Sequence, residues 1–261
     1  MPNHVTNILR VSGDPEKVSA MFEAIKNDEI GLGSIDFNKI IPMPKALDIE
    51  CGSRTDRAMK LYRAFREECA ALALVHTLNP DYAARTGTTH DGRVAALVRK
   101  YEAMIKHDSG LLQLGERCYR NIKDYGHPAW YSWCNANWGT KWNSYGYHDY
   151  TEKDFDGSTI EFQTAWGCAF PVIETLAERY PDLHFELRWA DEDFGYNVGE
   201  KEYEDGMEIN SHIPNGGSKE ALELAAEIHA VDLAEMGYLL NESTGEYEYH
   251  DPDESMSLNM Q

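Results

Sequence analysis

Four of the six tryptophans fall in one run of thirteen residues, WYSWCNANWGTKW, at positions 130–142. An indole supplies a large apolar surface and one N–H that needs a partner when it is buried. A flat aromatic wall beside an ammonium and an amide suits a nucleotide, through stacking and a charge-assisted hydrogen bond. The residues predicted to line such a pocket are Trp133, Asn137, Trp138, Gly139, Thr140, Lys141, Trp142 and Trp166.

The same run could instead be a packed junction in which the indoles fasten two substructures together. Trp138 and Trp142 would then contribute chiefly to stability, and Lys141 would extend its ammonium to solvent along the apolar surface. The sequence favours the junction, because the strand end TAW at residues 164–166 supplies a natural packing partner. The ligand-binding pocket remains the alternative.

A second group of residues with chemical potential is acidic. Between residues 191 and 208 the carboxylates are opposed by Lys201 alone. Carboxylates on a rigid hairpin can imitate a phosphate array and occupy a basic groove, with fast and salt-sensitive association. Charges that protect an edge strand from aggregation are the alternative. The predicted partner-binding residues are Asp191, Glu192, Asp193, Glu200, Glu202, Glu204 and Asp205.

Charge is distributed unevenly along the 261 residues, whose formal net charge is −21. Residues 54–123 carry 13 Lys and Arg against 8 Asp and Glu, and the rest of the chain is strongly acidic. An acidic protein repels the nucleic-acid backbone and anionic membranes, so direct binding to either is disfavoured. The composition predicts a protein partner with a basic surface.

Motifs of catalysis are missing from the sequence: there is no P-loop, dinucleotide-binding glycine pattern, H-E-x-x-H helix or nucleophile elbow. A metal-independent RNA-processing nuclease, with His127 or His184 as general base, remains a further alternative. His148 and Asp149 are adjacent potential metal ligands, but the sequence offers no identifiable third ligand. We therefore predict no catalytic residue, no metal and no cofactor.

The five cysteines are widely spaced, and none lies in a C-x-x-C pair. This spacing argues against a disulfide framework and is typical of buried thiols in a reducing compartment. The sequence shows no charged and apolar leader, and no apolar run approaches the roughly 20 residues that span a membrane. We expect a cytoplasmic protein.

Alternating apolar residues predict strands near both ends of the chain. Residues 5–11 form a first strand, after which Asp14 caps a helix that has Pro15 in its first position. Residues 35–44 (IDFNKIIPMP) are predicted as a second strand, confined by two prolines to an edge or a strand end. Further strands are predicted at residues 158–166, 183–189, 194–203 and 207–209.

Ala, Leu and Arg in helical periods predict three helices within residues 57–126. Pro171 lies near the start of another helix, and Ser218 caps the last one. The pattern predicts an α+β fold: a ferredoxin-like split β-α-β antiparallel sheet with helices on one face, a helical insertion, and a C-terminal hairpin plus helix. The predicted domains are the sheet at residues 1–50 and 143–240, the insertion at 51–142 and an acidic tail at 241–261.

Five segments together resemble one family. In chain order they are PNHVTNILRVSG, FNKIIPMP, WCNANWGTKW, FQTAWG and LHFELRWADEDFGYNVGE. They are similar to the YubB-type ferredoxin-like proteins of conjugative plasmids and temperate phages. The resemblance implies a mobile-element accessory protein and supplies no catalytic residues. With the acidic surface, it leads us to expect a non-enzymatic protein that binds a host factor in the host-cell cytoplasm, such as a defence-system component that it inhibits.

Overall fold

A computed structural model describes residues 3–78, 85–87, 89–148, 150 and 152–251 of the protein. The chain divides into two compact units, one formed by residues 1–42 and 134–261 and the other by residues 43–133. We call the first the sheet unit and the second the helical unit. The second boundary follows Trp133 and lies inside the Trp-rich run, whereas the predicted insertion ends at residue 142.

The elements of both units are named here in chain order. The helices are α1 (Pro15–Ile25), α2 (Phe37–Ile40), α3 (Ser53–Leu78), α4 (His90–Met104), α5 (Leu111–Tyr125), α6 (Trp130–Asn137), α7 (Phe170–Arg179) and α8 (Lys219–His229). The strands are β1 (His4–Ser12), β2 (Thr159–Ala165), β3 (His184–Asp191), β4 (Gly199–Glu204), β5 (Met207–His212), β6 (Tyr238–Leu240) and β7 (Tyr247–Tyr249).

The sheet unit begins as predicted, with β1 followed by α1. The side chain of Asp14 accepts hydrogen bonds from the backbone N–H groups of Glu16 and Lys17 at 3.0 and 3.2 Å, which caps the helix. One face of α1 is buried, as its helical spacing predicts. The residues of that face are Val18, Met21, Phe22 and Ile25.

Within the described residues, five strands form one antiparallel sheet in the order β2-β1-β3-β4-β5. Strand β1 pairs antiparallel with both β2 and β3, so β2 and β3 run parallel to each other on either side of it. Helix α7 connects β2 to β3, which makes a split β-α-β unit. The predicted sheet type, C-terminal hairpin and C-terminal helix are confirmed.

Aromatic contacts place α2 and α7 on one face of this sheet. Phe170 of α7 packs edge-to-face on Trp189 of β3, with 4.8 Å between ring centroids. Phe37 of α2 packs in the same manner on Phe162 of β2, at 6.0 Å. All the large side chains on this face of β1, β2 and β3 are buried, which makes it the main core of the unit. They are Val5, Leu9, Val11, Ile160, Phe162, Phe185, Leu187 and Trp189.

The predicted strand at residues 35–44 is wrong. Phe37–Ile40 is instead the short helix α2, because the side chain of Asp36 accepts a hydrogen bond from the backbone N–H of Asn38 and starts a helical turn. The predicted strand-helix-strand order at residues 5–44 is therefore not formed.

Side chains from residues 143–147 take the place of a strand partner for this segment. Asn143 Oδ1 accepts a hydrogen bond from the N–H of Phe37 at 2.9 Å. Ser144 Oγ donates to the carbonyl of Ile35, and Tyr147 OH accepts from the N–H of Ile35 at 3.2 Å. Because these backbone groups are satisfied by side chains, the segment needs no sheet ladder.

Helix α8 covers part of the opposite sheet face, so the expectation of helices on one face only is wrong. Ala190 of β3 and Ile8 of β1 belong to one apolar cluster with Ala225 and Ile228 of α8. Ala190 alternates with the buried Trp189 along β3 and therefore points away from α7. The rest of this face is polar and carries His184, Glu186, Arg188, Glu161 and Gln163.

The C-terminal strands differ in detail from the prediction. Residues 194–198, predicted as the start of a strand, lie outside β4. Asp205 and Gly206 form the predicted turn with φ of 52° and 76°, and β5 extends to His212. Strands β6 and β7 pair as a separate small hairpin that the polar sequence did not predict.

The helical unit contains the three predicted helices. Helices α3 and α5 approach closely at Gly115, where a Cβ atom would lie 2.3 Å from the carbonyl oxygen of Ala58. The core between them is formed by Ile49, Ala58, Leu111, Leu114, Cys118 and Ala129. In the described part of the chain, no helix combines the length and the apolar character needed to cross a membrane.

We expect the phenol of Tyr147 to make the sheet unit sensitive to alkali. Burial is the main cause that raises the pKa of Tyr147 to about 12. A tyrosine in the unfolded chain ionises near pH 10, whereas Tyr147 in the folded protein ionises only near pH 12. Between these two pH values ionisation therefore stabilises the unfolded state but not the folded state. We expect the free energy of unfolding to fall through this range, and to fall less steeply in Tyr147→Phe.

Urea unfolding at stepped pH measures this slope. Tyr249→Phe is the control, because Tyr249 is 61% exposed. A Tyr147→Phe slope that matches the slopes of the wild type and the control would contradict the assignment.

Candidate functional site at the Trp166 end of the sheet

The Trp-rich run is divided between the two units. Trp130 and Trp133 belong to the helical unit, and Trp138 and Trp142 belong to the sheet unit. Trp133 and Trp138 are buried, with 7% and 3% of their surface exposed. Of the eight predicted pocket residues, all but Trp133 lie in the sheet unit, where Asn137 is half-buried at the end of α6.

Trp138 joins two distant points of the chain within the sheet unit. Its indole N–H donates a hydrogen bond to the carbonyl of Ile41 at 2.9 Å. Its ring packs edge-to-face on Phe37, with 5.8 Å between centroids. Ile41 precedes the helical unit in sequence and Trp138 follows it, so this contact links the exit and the return of the chain.

Gly139 and Thr140 carry the chain from this contact to the end of β2. Gly139 has a φ of 76°, and a Cβ atom there would lie 3.0 Å from Cδ of Pro171. The hydroxyl of Thr140 donates to the carbonyl of Ala165 at 2.9 Å and accepts from the N–H of Ala165 at 3.0 Å. Thr140 is 1% exposed and satisfies both backbone groups of Ala165, as a neighbouring strand would.

Trp166 follows β2 directly in an unusual backbone conformation. Its φ is 72°, a left-handed value that costs a bulky residue on the order of 1 kcal/mol. Its N–H donates to the carbonyl of Asn3 at 2.9 Å, which holds the strained backbone in place. The side chain is nevertheless 44% exposed. Strain that presents a large aromatic side chain to solvent points to a functional role.

Lys141 places its ammonium between two indoles. Its Nζ lies 4.4 Å from the ring centroid of Trp142 and 4.8 Å from that of Trp166, which is cation–π geometry. Tyr145 packs edge-to-face on Trp142 at 6.2 Å, and its OH lies 2.7 Å from Nδ1 of His4. We call these five partly exposed residues the aromatic patch.

Asp191, the first predicted partner-binding residue, is buried, with 4% exposure. Its carboxylate accepts hydrogen bonds from Nδ2 of Asn3 at 3.0 Å and from Nδ2 of Asn197 at 2.9 Å. It also accepts one from the N–H of Asp193 at 2.9 Å. These bonds anchor the loop after β3, and the carboxylates that face solvent there are the next two in sequence.

Glu192 and Asp193 lie at the same end of the sheet as the aromatic patch. Strand β1 begins beside the ends of β2 and β3, and the N–H of Glu192 donates to the carbonyl of His4 at 2.9 Å. Both side chains are exposed, and neither forms an ion pair with another described residue. We call the aromatic patch together with Glu192 and Asp193 the Trp166 end of the sheet.

The other predicted acidic residues lie elsewhere on the sheet unit. Glu204 and Asp205 occupy the hairpin turn beside the beginning of β3, so the length of that strand separates them from the Trp166 end by about 20 Å. Glu200 and Glu202 lie on the polar sheet face. The Nε atom of Arg188 is 3.8 Å from Glu200, and Nε2 of His184 is 4.0 Å from Glu202.

The histidines considered for metal binding or catalysis belong to different parts of the chain. His148 is exposed, and Asp149 lies outside the described residues. His127 belongs to the helical unit, where its Nδ1 lies 3.1 Å from Oγ of Ser132, whereas His184 belongs to β3. Among the residues that the structure describes, no three His, Cys, Asp or Glu side chains form a group that could hold a metal ion.

Two members of the aromatic patch, His4 and Tyr145, are not among the residues predicted from the sequence. Tyr145 reaches it because its backbone forms an isolated antiparallel bridge with Gln163 at the outer edge of β2, with hydrogen bonds of 3.0 and 2.7 Å. No local pattern predicts this bridge. The signal that the sequence did contain is the density of tyrosines in SYGYHDY, beside the Trp-rich run.

These features define an α+β protein with a ferredoxin-like domain and an exposed aromatic patch at one end of its sheet. Residues 138–232 match the family model described as the ferredoxin-like domain in Api92-like protein. The crystal structure of api92 from Yersinia pseudotuberculosis is similar at 10% sequence identity and a TM-score of 0.35, covering 83% of this chain and 99% of that one. A comparison with curated proteins gives no significant match.

The double hydrogen bond of Thr140 predicts a specific loss of stability. Thr140→Val keeps the shape of the side chain but leaves both backbone groups of Ala165 without their partner. We expect the free energy of unfolding to fall by about 2 to 4 kcal/mol. Thr140→Ser keeps the hydroxyl, and we expect it to cost no more than about 1 kcal/mol. Denaturant unfolding compares the two variants, and equal losses would show that the hydroxyl is not the anchor.

Proposed function

We propose that the protein is a non-enzymatic accessory protein that binds a partner with a basic surface through the Trp166 end of the sheet. The observation that carries the proposal is the strained and exposed Trp166, held beside Lys141 and close to Glu192 and Asp193. Tryptophan is enriched at the binding hot spots of protein interfaces. An arginine or lysine of the partner would pair with the carboxylates while its side chain packs on the indole.

The carboxylates and the indole of Trp166 would contribute to binding in different ways. Residues 1–42 and 134–261 hold 34 Asp and Glu against 10 Lys and Arg, a charge that would attract a basic partner over a distance and accelerate encounter. Carboxylates at the rim contribute more to the association rate than to affinity. Covering the exposed part of Trp166 would contribute roughly 2 kcal/mol, so the indole would slow dissociation.

The proposal also names the kind of protein that the partner is. The resemblance to YubB-type proteins supports a role in a phage or conjugative plasmid. We propose a host protein as the partner, such as a component of a defence system whose basic groove normally holds nucleic acid. Occupying that groove in the host-cell cytoplasm would inhibit the defence.

Paired charge reversals test where the partner binds. Glu192→Lys with Asp193→Lys changes the Trp166 end, and Glu204→Lys with Asp205→Lys makes the same charge change at the hairpin turn. Each full-length protein is immobilised and exposed to bacterial lysate at low and high salt, and captured proteins are quantified by mass spectrometry. We expect the first pair to reduce capture by at least about tenfold and the second by no more than about twofold.

Circular dichroism controls for folding of both double variants. If the two double variants capture equal amounts of protein, the Trp166 end is not the binding surface. Capture that does not weaken at high salt, or no captured protein at all, would contradict binding to a basic partner.

A second candidate is the binding of a nucleotide or another small ligand at the aromatic patch. It is favoured by the ammonium of Lys141 between two indoles, which could hold a phosphate while a base stacks on Trp166. Thermal denaturation with a panel of nucleotides tests this candidate, with Trp166→Ala as the variant and Tyr249→Ala as the control. A ligand of the patch stabilises the wild type and the control but not Trp166→Ala, and the candidate fails if no nucleotide stabilises the protein.

A further inference from the structure

The helical unit contains a pocket that is independent of the Trp166 end of the sheet. Its volume is about 770 Å³, within the range of small-molecule sites. The beginning of α3, the end of α4 with the loop after it, and the first residue of α5 line it. The rim is basic and the floor is apolar.

Positive charge on the rim exceeds negative charge. The carboxylate of Asp108 binds two guanidinium groups, with 2.8 Å to Nη2 of Arg54 and 2.6 Å to Nη2 of Arg57. Arg57 keeps further N–H donors, because a guanidinium carries five. Lys60 is exposed and forms no ion pair with a described residue, and His107, also exposed, lines the same pocket. This local excess of cations agrees with the basic composition of residues 54–123 and contrasts with the acidic rest of the chain.

Apolar side chains from three elements form the floor: Leu61 of α3, Met104 and Ile105 at the end of α4, and Leu111 of α5. Met104 exposes 65% of its surface at this concave site. A flexible thioether adapts to the shape of an apolar or aromatic group that covers it. Gly110 precedes the first residue of α5 and supplies no side-chain cap, so the positive end of the helix adds to the field at Leu111.

We propose that this pocket binds a small phosphate monoester that carries an apolar or aromatic body. The phosphate dianion lies between Arg57 and Lys60, where donors and charge remain available. The body of the ligand lies on Leu61 and Ile105 and covers Met104. An inorganic anion would contact only the basic rim, and a neutral aromatic compound would contact only the apolar floor. A ligand that carries both a phosphate and an apolar body would contact both, and would therefore bind more tightly than either.

Calorimetric titration of the full-length protein with phenyl phosphate, inorganic phosphate and phenol tests both parts of the pocket. We expect phenyl phosphate to bind at least about tenfold more tightly than inorganic phosphate, and phenol to show no measurable binding. Met104→Ser removes most of the preference for phenyl phosphate and leaves the affinity for inorganic phosphate unchanged.

Two lysine variants separate the pocket from general electrostatic attraction. Lys60→Gln weakens phenyl phosphate binding at least about fivefold. The control is Lys106→Gln, which makes the same charge change at a residue that does not line the pocket. It changes phenyl phosphate binding less than about twofold. Equal losses in the two variants would overturn the proposal. So would equal affinities for phenyl phosphate and inorganic phosphate, or no binding of either anion at millimolar concentration.

Discussion

The hydrogen bond from the Trp138 indole to the carbonyl of Ile41 is the contact on which the sheet unit depends. It joins residues that are 97 positions apart in sequence. Closing a loop of that length costs on the order of 4 kcal/mol of chain entropy, more than one hydrogen bond supplies. The packing of Trp138 on Phe37 and the side-chain hydrogen bonds from residues 143–147 to residues 35–37 share that cost. Together they return the chain to the sheet at a defined point.

The position of the candidate site follows from this return point. With Trp138 fixed, the turn at Gly139 and the double hydrogen bond of Thr140 bring Lys141 to the end of β2. Trp166 can then hold its left-handed conformation, since its N–H is bonded to Asn3 and its ring lies against Lys141. An indole whose backbone and ring both have a fixed contact before binding is expected to lose less entropy on binding, so that its exposed surface contributes more fully to affinity.

The strands of the sheet were predictable from sequence wherever apolar and polar residues alternate along the chain, because this alternation determines which side chains are buried. Strand β3 alternates so regularly that its sequence alone assigns Phe185, Leu187 and Trp189 to the core. The segment at residues 35–44 could not be assigned, because the groups that satisfy its backbone come from Asn143, Ser144 and Tyr147, about 100 residues later. The local pattern of apolar and polar residues carries no information about hydrogen-bond partners so distant in sequence.

The candidate site shows the same limit. The density of tryptophans was visible in the sequence, but an indole packs equally well in a core and on a surface, so Trp138 and Trp166 looked alike. Asp191 looked like one more surface carboxylate, because the amides of Asn3 and Asn197 that surround it are distant in sequence or beyond a loop. Which side chains of the site are exposed is a property of the tertiary fold, in which strand ends from different parts of the chain meet.

Site-specific photocrosslinking tests most directly whether the Trp166 end is the functional surface. A photoreactive amino acid replaces Asp193 in one protein and Asp205 in another, two exposed positions at opposite ends of β3. Both proteins are irradiated in the cells that produce them, and the crosslinked products are identified by mass spectrometry. The proposed surface predicts a crosslink from position 193 to a protein with a basic surface and none from position 205. Crosslinks from position 205 alone, or equally from both positions, would contradict it.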